Sequence, residues 1–329
     1  MTYNDSIEKI RENIKVGSSP RRYICEVHRE IYDVIDEHVP DDKRETALNL
    51  VAEAYWYGKR MSDRLKELNS DLRDETPVNP DFHDDLERRA KRVGLLRRIA
   101  SINIETIDWC NRKCDWCPNK NRETSPDNLM DKDVWCRIIR QLVDYAYKGE
   151  IHPFLNGEPT MDKRLPALVQ YAKSILPECV FKLITNGDGL KAPIDVQIFL
   201  SAGIDKIHMN HYTGKLSGIG KARDNLFPQM THIGMKELMP SFYNRAGKVD
   251  YTPAKKFLKC EYFLNKLAFN YKGDMVLCCS DFNSEVVFGN IMDQSLAAII
   301  NGELYQKYYK AHKNGGAKQL PLCKECNRI

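Results

Sequence analysis

Residues 99 to 255 are predicted to form an α/β domain, a partial (β/α) barrel of about five to six parallel strands. A helical N-terminal module (1–98) precedes it and a small C-terminal hairpin-helix domain (256–329) follows. Three observations predict this. Short apolar runs with strand-like alternation are separated, from residue 99 onward, by longer runs with helical spacing, which is the pattern of a parallel sheet with crossover helices. The stretch is too short for the eight strand–helix units of a complete barrel. Finally, the texture changes near residue 98 and again beyond Pro253.

In chain order, helical spacing runs over 7–14, 24–38 and 42–72, the last opened by Pro40 and Asp41 as a stop-and-cap pair. Two prolines and many turn formers make 73–84 a linker, and a helix over 84–97 feeds the barrel. Strands are predicted at 101–108, 150–155, 179–185, 205–212 and 235–242. Helices are predicted between them at 131–147, 163–176, 193–202 and 220–230. Beyond Pro253, Leu267–Asn270 and Met275–Cys278 form a β-hairpin about a turn containing Gly273. An amphipathic helix follows from Ser295 to Lys313, with Leu296, Ile299, Ile300, Leu304 and Tyr308 on its apolar face.

The bulk numbers exclude several classes. A chain of 329 residues with 42% hydrophobic content can bury one large core and small appended domains. A net charge of +4 among 29% charged residues points neither to nucleic acid nor to an anionic membrane. The basic run from Arg88 to Arg98 reads as a solvated helix face, since Asp84, Asp85 and Glu87 precede it. No apolar run is long enough to span a bilayer and no signal peptide opens the chain, so a reducing cytoplasm is expected. Cys25, Cys136 and Cys179 lack partners at ligand spacing and are read as packing residues, and His28 and His38 as structural or exposed.

Cys110, Cys114 and Cys117 are spaced by three residues and then two, on the loop that leaves the first strand. Soft thiolates suit an iron–sulfur cluster, and three ligands on a four-iron cluster leave one iron open to a small molecule. A zinc knuckle is the alternative, but zinc favours four ligands and paired Cys-x2-Cys spacings, and no partner lies nearby in sequence. With Trp116 just before the last cysteine, this motif resembles that of the radical S-adenosylmethionine (radical SAM) superfamily. The resemblance implies a [4Fe–4S] cluster on Cys110, Cys114 and Cys117 that binds S-adenosylmethionine (SAM) through its open iron. It also implies that reduction cleaves SAM to a 5′-deoxyadenosyl radical.

Other strand ends carry matching features. Asn156-Gly157-Glu158-Pro159 resembles the family's Gly-Gly-Glu-Pro segment, whose backbone receives the methionine amino group, with Asn156 in place of the first glycine. Gly157 suits a backbone that must approach a ligand closely. Thr185 and Asn186 after the third strand, and Asn210 and His211 at the end of the fourth, are candidate partners for the nucleoside or the substrate. Ordinary turn chemistry explains these positions equally well.

Cys260, Cys278, Cys323 and Cys326 form a second set that fits either zinc or a four-iron cluster. The resemblance favours a second, auxiliary [4Fe–4S] cluster, held in a shortened relative of the SPASM domain called twitch. Cys279 is left over, and strand alternation would turn it opposite to Cys278, as a free thiol or a packing residue. Arg245, after the last predicted strand, is a candidate substrate-orienting group or a surface turn.

The resemblance implies hydrogen abstraction from a small polar substrate, carbohydrate-like or an aminocyclitol. Oxidation of the substrate radical by the auxiliary cluster would make the enzyme a dehydrogenase, and hydrogen return from a thiol such as Cys279 would make it an epimerase. Peptide modification and a non-catalytic metal-binding role are the other readings. An external electron donor such as flavodoxin or ferredoxin is implied, with a small molecule or a peptide as partner and neither membrane nor nucleic acid.

Overall fold

The computed structural model describes residues 96–212, 227–234, 238–239, 242–251 and 260–328. The helices expected before residue 96, the linker at 73–84 and most of the helix expected at 220–230 lie outside these residues. The elements run β1 (Ser101–Ile104), α1 (Lys132–Asp144), β2 (Glu150–His152), α2 (Leu165–Ile175), β3 (Val180–Thr185), α3 (Pro193–Ser201), β4 (Lys206–His211) and β5 (Met230–Gly234). They continue with α4 (Tyr262–Asn265), β6 (Lys266–Phe269), β7 (Asp274–Val276), β8 (Val287–Asn290), α5 (Leu296–Asn301), α6 (Glu303–Lys313) and α7 (Pro321–Lys324).

One eight-stranded sheet carries the fold, in the order β5-β4-β3-β2-β1-β6-β7-β8. Every pairing from β5 through β1 to β6 is parallel, and β7 and β8 add antiparallel strands at the far edge. The sixth parallel strand is therefore β6, the first arm of the predicted hairpin. Ser101 pairs with Lys266 and Ile104 with Phe269, so the C-terminal segment continues the barrel sheet through β1.

Apolar periodicity explains the layers. On β3, Phe181, Leu183 and Thr185 are buried while Val180, Lys182 and Ile184 are partly open, the alternation of a strand with a helix layer on one face and a cavity on the other. Helix α1 is capped by Asp131, whose side chain accepts from the Asp133 amide, and it buries Val134, Trp135, Ile138, Ile139 and Leu142. The Trp135 indole donates to the Leu168 carbonyl of α2 at 3.0 Å. Cys136 and Cys179 are buried, as their packing role requires.

Two expectations change. The fifth strand is Met230–Gly234, not 235–242, because β4 draws Met230 to Gly234 into register opposite Ile207 to His211. Leu238 and Met239 instead sit in a helical turn, and Phe242 and Tyr243 are buried outside any strand. The helix expected from Ser295 to Lys313 breaks at Gly302, whose extended backbone ends α5 and starts α6. That break rephases the apolar face, so Tyr305 and Tyr308 are buried while Leu304 is 42% exposed. Helix α5 is moored to α1, since the Leu296 amide donates to the Gln141 side chain at 2.6 Å and the Ala297 amide to the Tyr145 hydroxyl at 3.1 Å.

Gly273 turns β6 into β7 with φ +86°, and a Cβ there would press on Val134 of α1 at 2.8 Å. The left-handed backbone and the close approach both select glycine. Gly273→Ala should cost about 1–3 kcal/mol of stability, read as a lowered denaturation midpoint with an unchanged denaturant slope.

Candidate active site

The loop from β1 to α1 carries Cys110, Cys114 and Cys117, all unpaired and half-buried. Neighbouring loops hold its backbone. The Glu158 amide donates to the Trp109 carbonyl at 2.8 Å, and the Asn119 side chain donates to the Asn156 carbonyl at 2.6 Å. A Cβ at Gly157 would run into the Ile107 carbonyl oxygen, so only glycine lets these two loops meet. Asp188 in the loop after β3 accepts two bonds from the Arg112 guanidinium and one from Asn111 at 2.7 Å. Asn186 in the same loop donates to the Asn111 side chain at 2.9 Å.

Glu158 knits these loops together. It is 3% exposed, and its Oε1 accepts from the Thr160 amide at 3.1 Å, the Thr160 hydroxyl at 2.6 Å and the Thr185 hydroxyl at 2.5 Å. Its Oε2 accepts from the Asn186 amide at 2.8 Å. Burial raises its pKa against the pull of these donors. Both oxygens are occupied by the protein, so Glu158 positions the binding loops. Pro159 starts the short 3-10 turn that aims this carboxylate inward.

The three cysteines open onto a cavity of about 410 Å³ running down the barrel interior, lined also by Trp116, Asn156, Gly157, Asn186, Asn210, Tyr212, Phe242, Arg245 and Cys279. Trp116 stacks on Phe242 with ring centroids 5.7 Å apart and tilts against Tyr212 at 5.6 Å. His211 turns the other way. Strand alternation carries it off the cavity face, where it hydrogen-bonds His232 of β5 at 2.9 Å. Arg245 joins the cavity rather than a surface turn, on a run of positive φ at Arg245 (49°), Ala246 (56°) and Gly247 (79°). This left-handed run is clamped by reciprocal bonds between Asn244 and Asn327, each backbone amide donating to the other side chain at 2.9 Å.

Cys260, Cys278, Cys323 and Cys326 surround a second, small cavity of about 30 Å³, closed by Phe263, Leu277 and Leu322. Cys279 faces the large cavity while Cys278 faces the small one. Cys279 also packs against the buried group Leu155, Ala268 and Val276. His312 of α6 lies 3.5 Å from the Cys323 sulfur, a neighbour that sequence spacing did not flag.

Both sulfur sets suit clusters. Burial pushes the Cys110 thiol up to about 11 and the Cys323 thiol up to about 12, while backbone amides approach sulfur at Cys110 (from Arg112, 3.5 Å) and Cys278 (from Ser280, 3.4 Å). Such N–H···S contacts stabilise cluster thiolates. Among the described residues no three His, Cys, Asp or Glu side chains converge on the point a single ion would occupy. Ligands of a four-iron cluster sit on separate irons and need not converge. The cavity end fits SAM as well. Asn156 Oδ1 is a buried acceptor with no partner there.

A six-stranded parallel half-barrel with a three-thiol loop after its first strand, joined to a four-thiol pocket, defines a radical enzyme carrying two iron–sulfur sites. Residues 104–215 match the radical SAM superfamily and residues 260–327 match SPASM, the iron–sulfur cluster-binding domain; the chain thus carries a radical SAM domain and a cluster-binding domain, and uses SAM and [4Fe–4S] clusters. It is 27% identical over 237 residues to the S-adenosyl-L-methionine-dependent 2-deoxy-scyllo-inosamine dehydrogenase of Niallia circulans, covering 70% of this chain and 94% of that protein. A crystal structure of BtrN in complex with AdoMet and 2-DOIA superposes with a TM-score of 0.63 at 26% identity, again over 70% of this chain and 94% of that one. BtrN in an open conformation shares the fold, with a TM-score of 0.55 at 24% identity over 70% and 92% of the two chains.

Two outcomes follow from this geometry. Gly157→Ala should disrupt the cysteine loop and spare the second pocket, so iron per reconstituted protein falls by about half, given four irons per cluster. Glu105, 2% exposed, accepts from the Asn156 amide at 2.8 Å, and burial with the nearby Asp108 charge raises its pKa from 4.5 to about 8. The folded state then binds a proton that the unfolded state has released between pH 4.5 and about 8, so the stability Glu105 contributes below that window is lost as pH rises through it. Glu105→Gln should flatten the fall in melting temperature across this range.

Proposed function

We propose that this enzyme is a radical SAM dehydrogenase that oxidises a secondary alcohol of a small, carbohydrate-like or aminocyclitol substrate to a ketone. The carrying observation is the Cys278–Cys279 step, which sets the four-thiol pocket back to back with the cavity that the three-thiol loop overlooks. Likeness to the 2-deoxy-scyllo-inosamine dehydrogenase supports the same class.

Cys110, Cys114 and Cys117 would hold the SAM-binding cluster, and Cys260, Cys278, Cys323 and Cys326 the auxiliary one. When bound, SAM and the clusters supply hydrogen-atom abstraction from an unactivated carbon and an acceptor for the second electron. The chain's own residues orient the partners. Asn156 Oδ1 and the backbone at Gly157 receive the amino acid end of SAM, Trp116, Asn186 and Asn210 line its path, and Thr185 acts through Glu158. Arg245 is permanently protonated and cannot serve as the base. It sits over the Tyr243 ring, with its guanidinium carbon 4.6 Å from the centroid, and donates to the Tyr243 hydroxyl at 3.1 Å. From there it can donate to a substrate hydroxyl and stabilise the oxyanion that forms as the proton leaves. Tyr243 contacts the Ser280 hydroxyl at 2.7 Å, and burial pushes its pKa up, so it stays a phenol.

The reading extends to a reducing cytoplasm, a flavodoxin- or ferredoxin-type electron donor, and domains at 1–98, 99–255 and 256–329. No helix among the described residues is long and apolar enough to cross a membrane. One observation favours an epimerase as second reading, because the Cys279 thiol faces the cavity, 3.7 Å from the Tyr243 hydroxyl.

Product analysis separates the two. A dehydrogenase yields ketone, takes up no solvent deuterium at the substrate carbon, and keeps product formation in Cys279→Ala. An inverted alcohol carrying solvent deuterium, lost in Cys279→Ala while 5′-deoxyadenosine persists, would overturn the dehydrogenase. Arg245→Met should lower ketone formation by about 10²-fold, the usual effect of removing one positioned donor, and leave substrate-independent SAM cleavage in place.

A further inference from the structure

The cavity continues below the cysteine loops to a floor built by side chains of the strands themselves. Alternation brings Asn103 of β1, Glu150 and His152 of β2, Lys182 of β3 and Lys266 of β6 onto the cavity wall. Parallel register sets Ser101 opposite both Glu150 and Lys266, Glu150 opposite Val180, and Lys182 opposite Lys206, so neighbouring strands carry these groups round a partial ring.

The charges on this ring do not balance. Glu150 is its carboxylate, already bonded to His152 Nε2 at 2.9 Å and 3.9 Å from the Lys206 ammonium. Its pKa is lowered, chiefly by His152 and the neighbouring lysines against the cost of burial, so it remains ionised. His152 is 4% exposed, and burial together with Lys266 and Lys182 holds its pKa near 4 despite Glu150, so it is neutral at pH 7. Lys182 has no ion-pair or hydrogen-bond partner among the described residues. Lys266 has only the Tyr262 ring, 5.3 Å from its ammonium. His208 and Lys206 on β4, the other titratable neighbours, add no negative charge, and the Tyr262 hydroxyl is committed to Asn103 at 3.0 Å. Glu150 acts on Lys182, but burial and the charges of Lys206 and Lys266 still lower the Lys182 pKa, so one carboxylate leaves the partly buried wall with excess positive charge that a further anion would offset.

We propose that the substrate carries a compact oxyanion, a carboxylate or a phosphate, at the end away from its reacting carbon, and that Lys182 and Lys266 receive it at the barrel floor. The inference rests on the cavity being the substrate site of the oxidoreductase. An amine-bearing end placed here would meet two ammonium groups and no free carboxylate. An oxyanion completes the ring and anchors the substrate with its opposite end toward Arg245 and Cys279.

The test is equilibrium dialysis of the reconstituted, SAM-loaded enzyme with glucose 6-phosphate, glucuronate, glucose and 2-deoxy-scyllo-inosamine. At least one anionic probe should bind ten or more times tighter than glucose, with an advantage that shrinks as salt is raised. Which of the two does so separates phosphate from carboxylate. Lys182→Ala and Lys266→Ala should each abolish the preference, and Lys182→Arg, which keeps the charge, should retain most of it. Glucose or the inosamine binding as tightly as both anions, no saturable binding of either anion, or a preference surviving both alanine variants overturns the proposal. Reductive SAM cleavage is measured on the same sample. If 5′-deoxyadenosine forms and the anion preference is absent, only the charge assignment fails; if none forms, the oxidoreductase reading fails.

Discussion

A single buried carboxylate holds the mouth of this barrel in shape. Glu158 takes four hydrogen bonds from the turn that follows it and from the end of β3, while its own amide bonds the Trp109 carbonyl one residue before Cys110. A carboxyl group so deeply buried is tolerated because both of its oxygens accept hydrogen bonds from the protein. Three loops that would otherwise move separately are fixed by one residue, through its carboxyl group and its backbone amide. The thiols at 110, 114 and 117 are therefore presented by a frame that exists before any ligand arrives.

The second constraint is the pairing of β6 with β1. It makes the auxiliary pocket an extension of the barrel wall, so the step from Cys278 to Cys279 passes from one chamber to the other within two residues. The loop bearing Tyr243 and Arg245 closes the arrangement. It is tied at Asn244 to Asn327, immediately after Cys326, and at Tyr243 to Ser280, immediately after Cys279. Substrate-facing residues and auxiliary thiols thus share one set of fasteners.

Much of this was legible in the sequence where chemistry and periodicity agree. The seven ligand-type cysteines follow from spacing and family resemblance and β1 to β4 from alternation; Cys278 and Cys279 do face opposite ways, although β7 ends at Val276 and the two lie beyond it, where the chain turns. The failures have physical causes. The fifth strand was misplaced because Met230–Gly234 carries no strong local alternation and is made a strand by its pairing with β4, whereas the apolar residues of 235–242 fall at helical spacing. His211 was assigned to the cavity by its position at a strand end, but parity turns it toward His232. Leu304 was phased through a helix that Gly302 interrupts. The lysine floor left no local trace, because Lys182 and Lys266 are far apart in the chain and meet only through β1, β2 and β3.

That same β1–β6 ladder also governs the order in which the molecule is completed. Strand β1 receives its partner β2 soon after synthesis, but its other edge stays bare until Lys266–Phe269 emerges. Pairings between segments so distant in sequence form late, after the loop-closure entropy between them has been overcome. The barrel wall beside the cysteine loop is therefore finished only after Lys266–Phe269 has left the ribosome. The auxiliary pocket, which needs Cys323 and Cys326, is finished later still. The two chambers therefore share one closing step, and a complete wall for the three-thiol loop exists only once the strand that leads into the four-thiol pocket has docked.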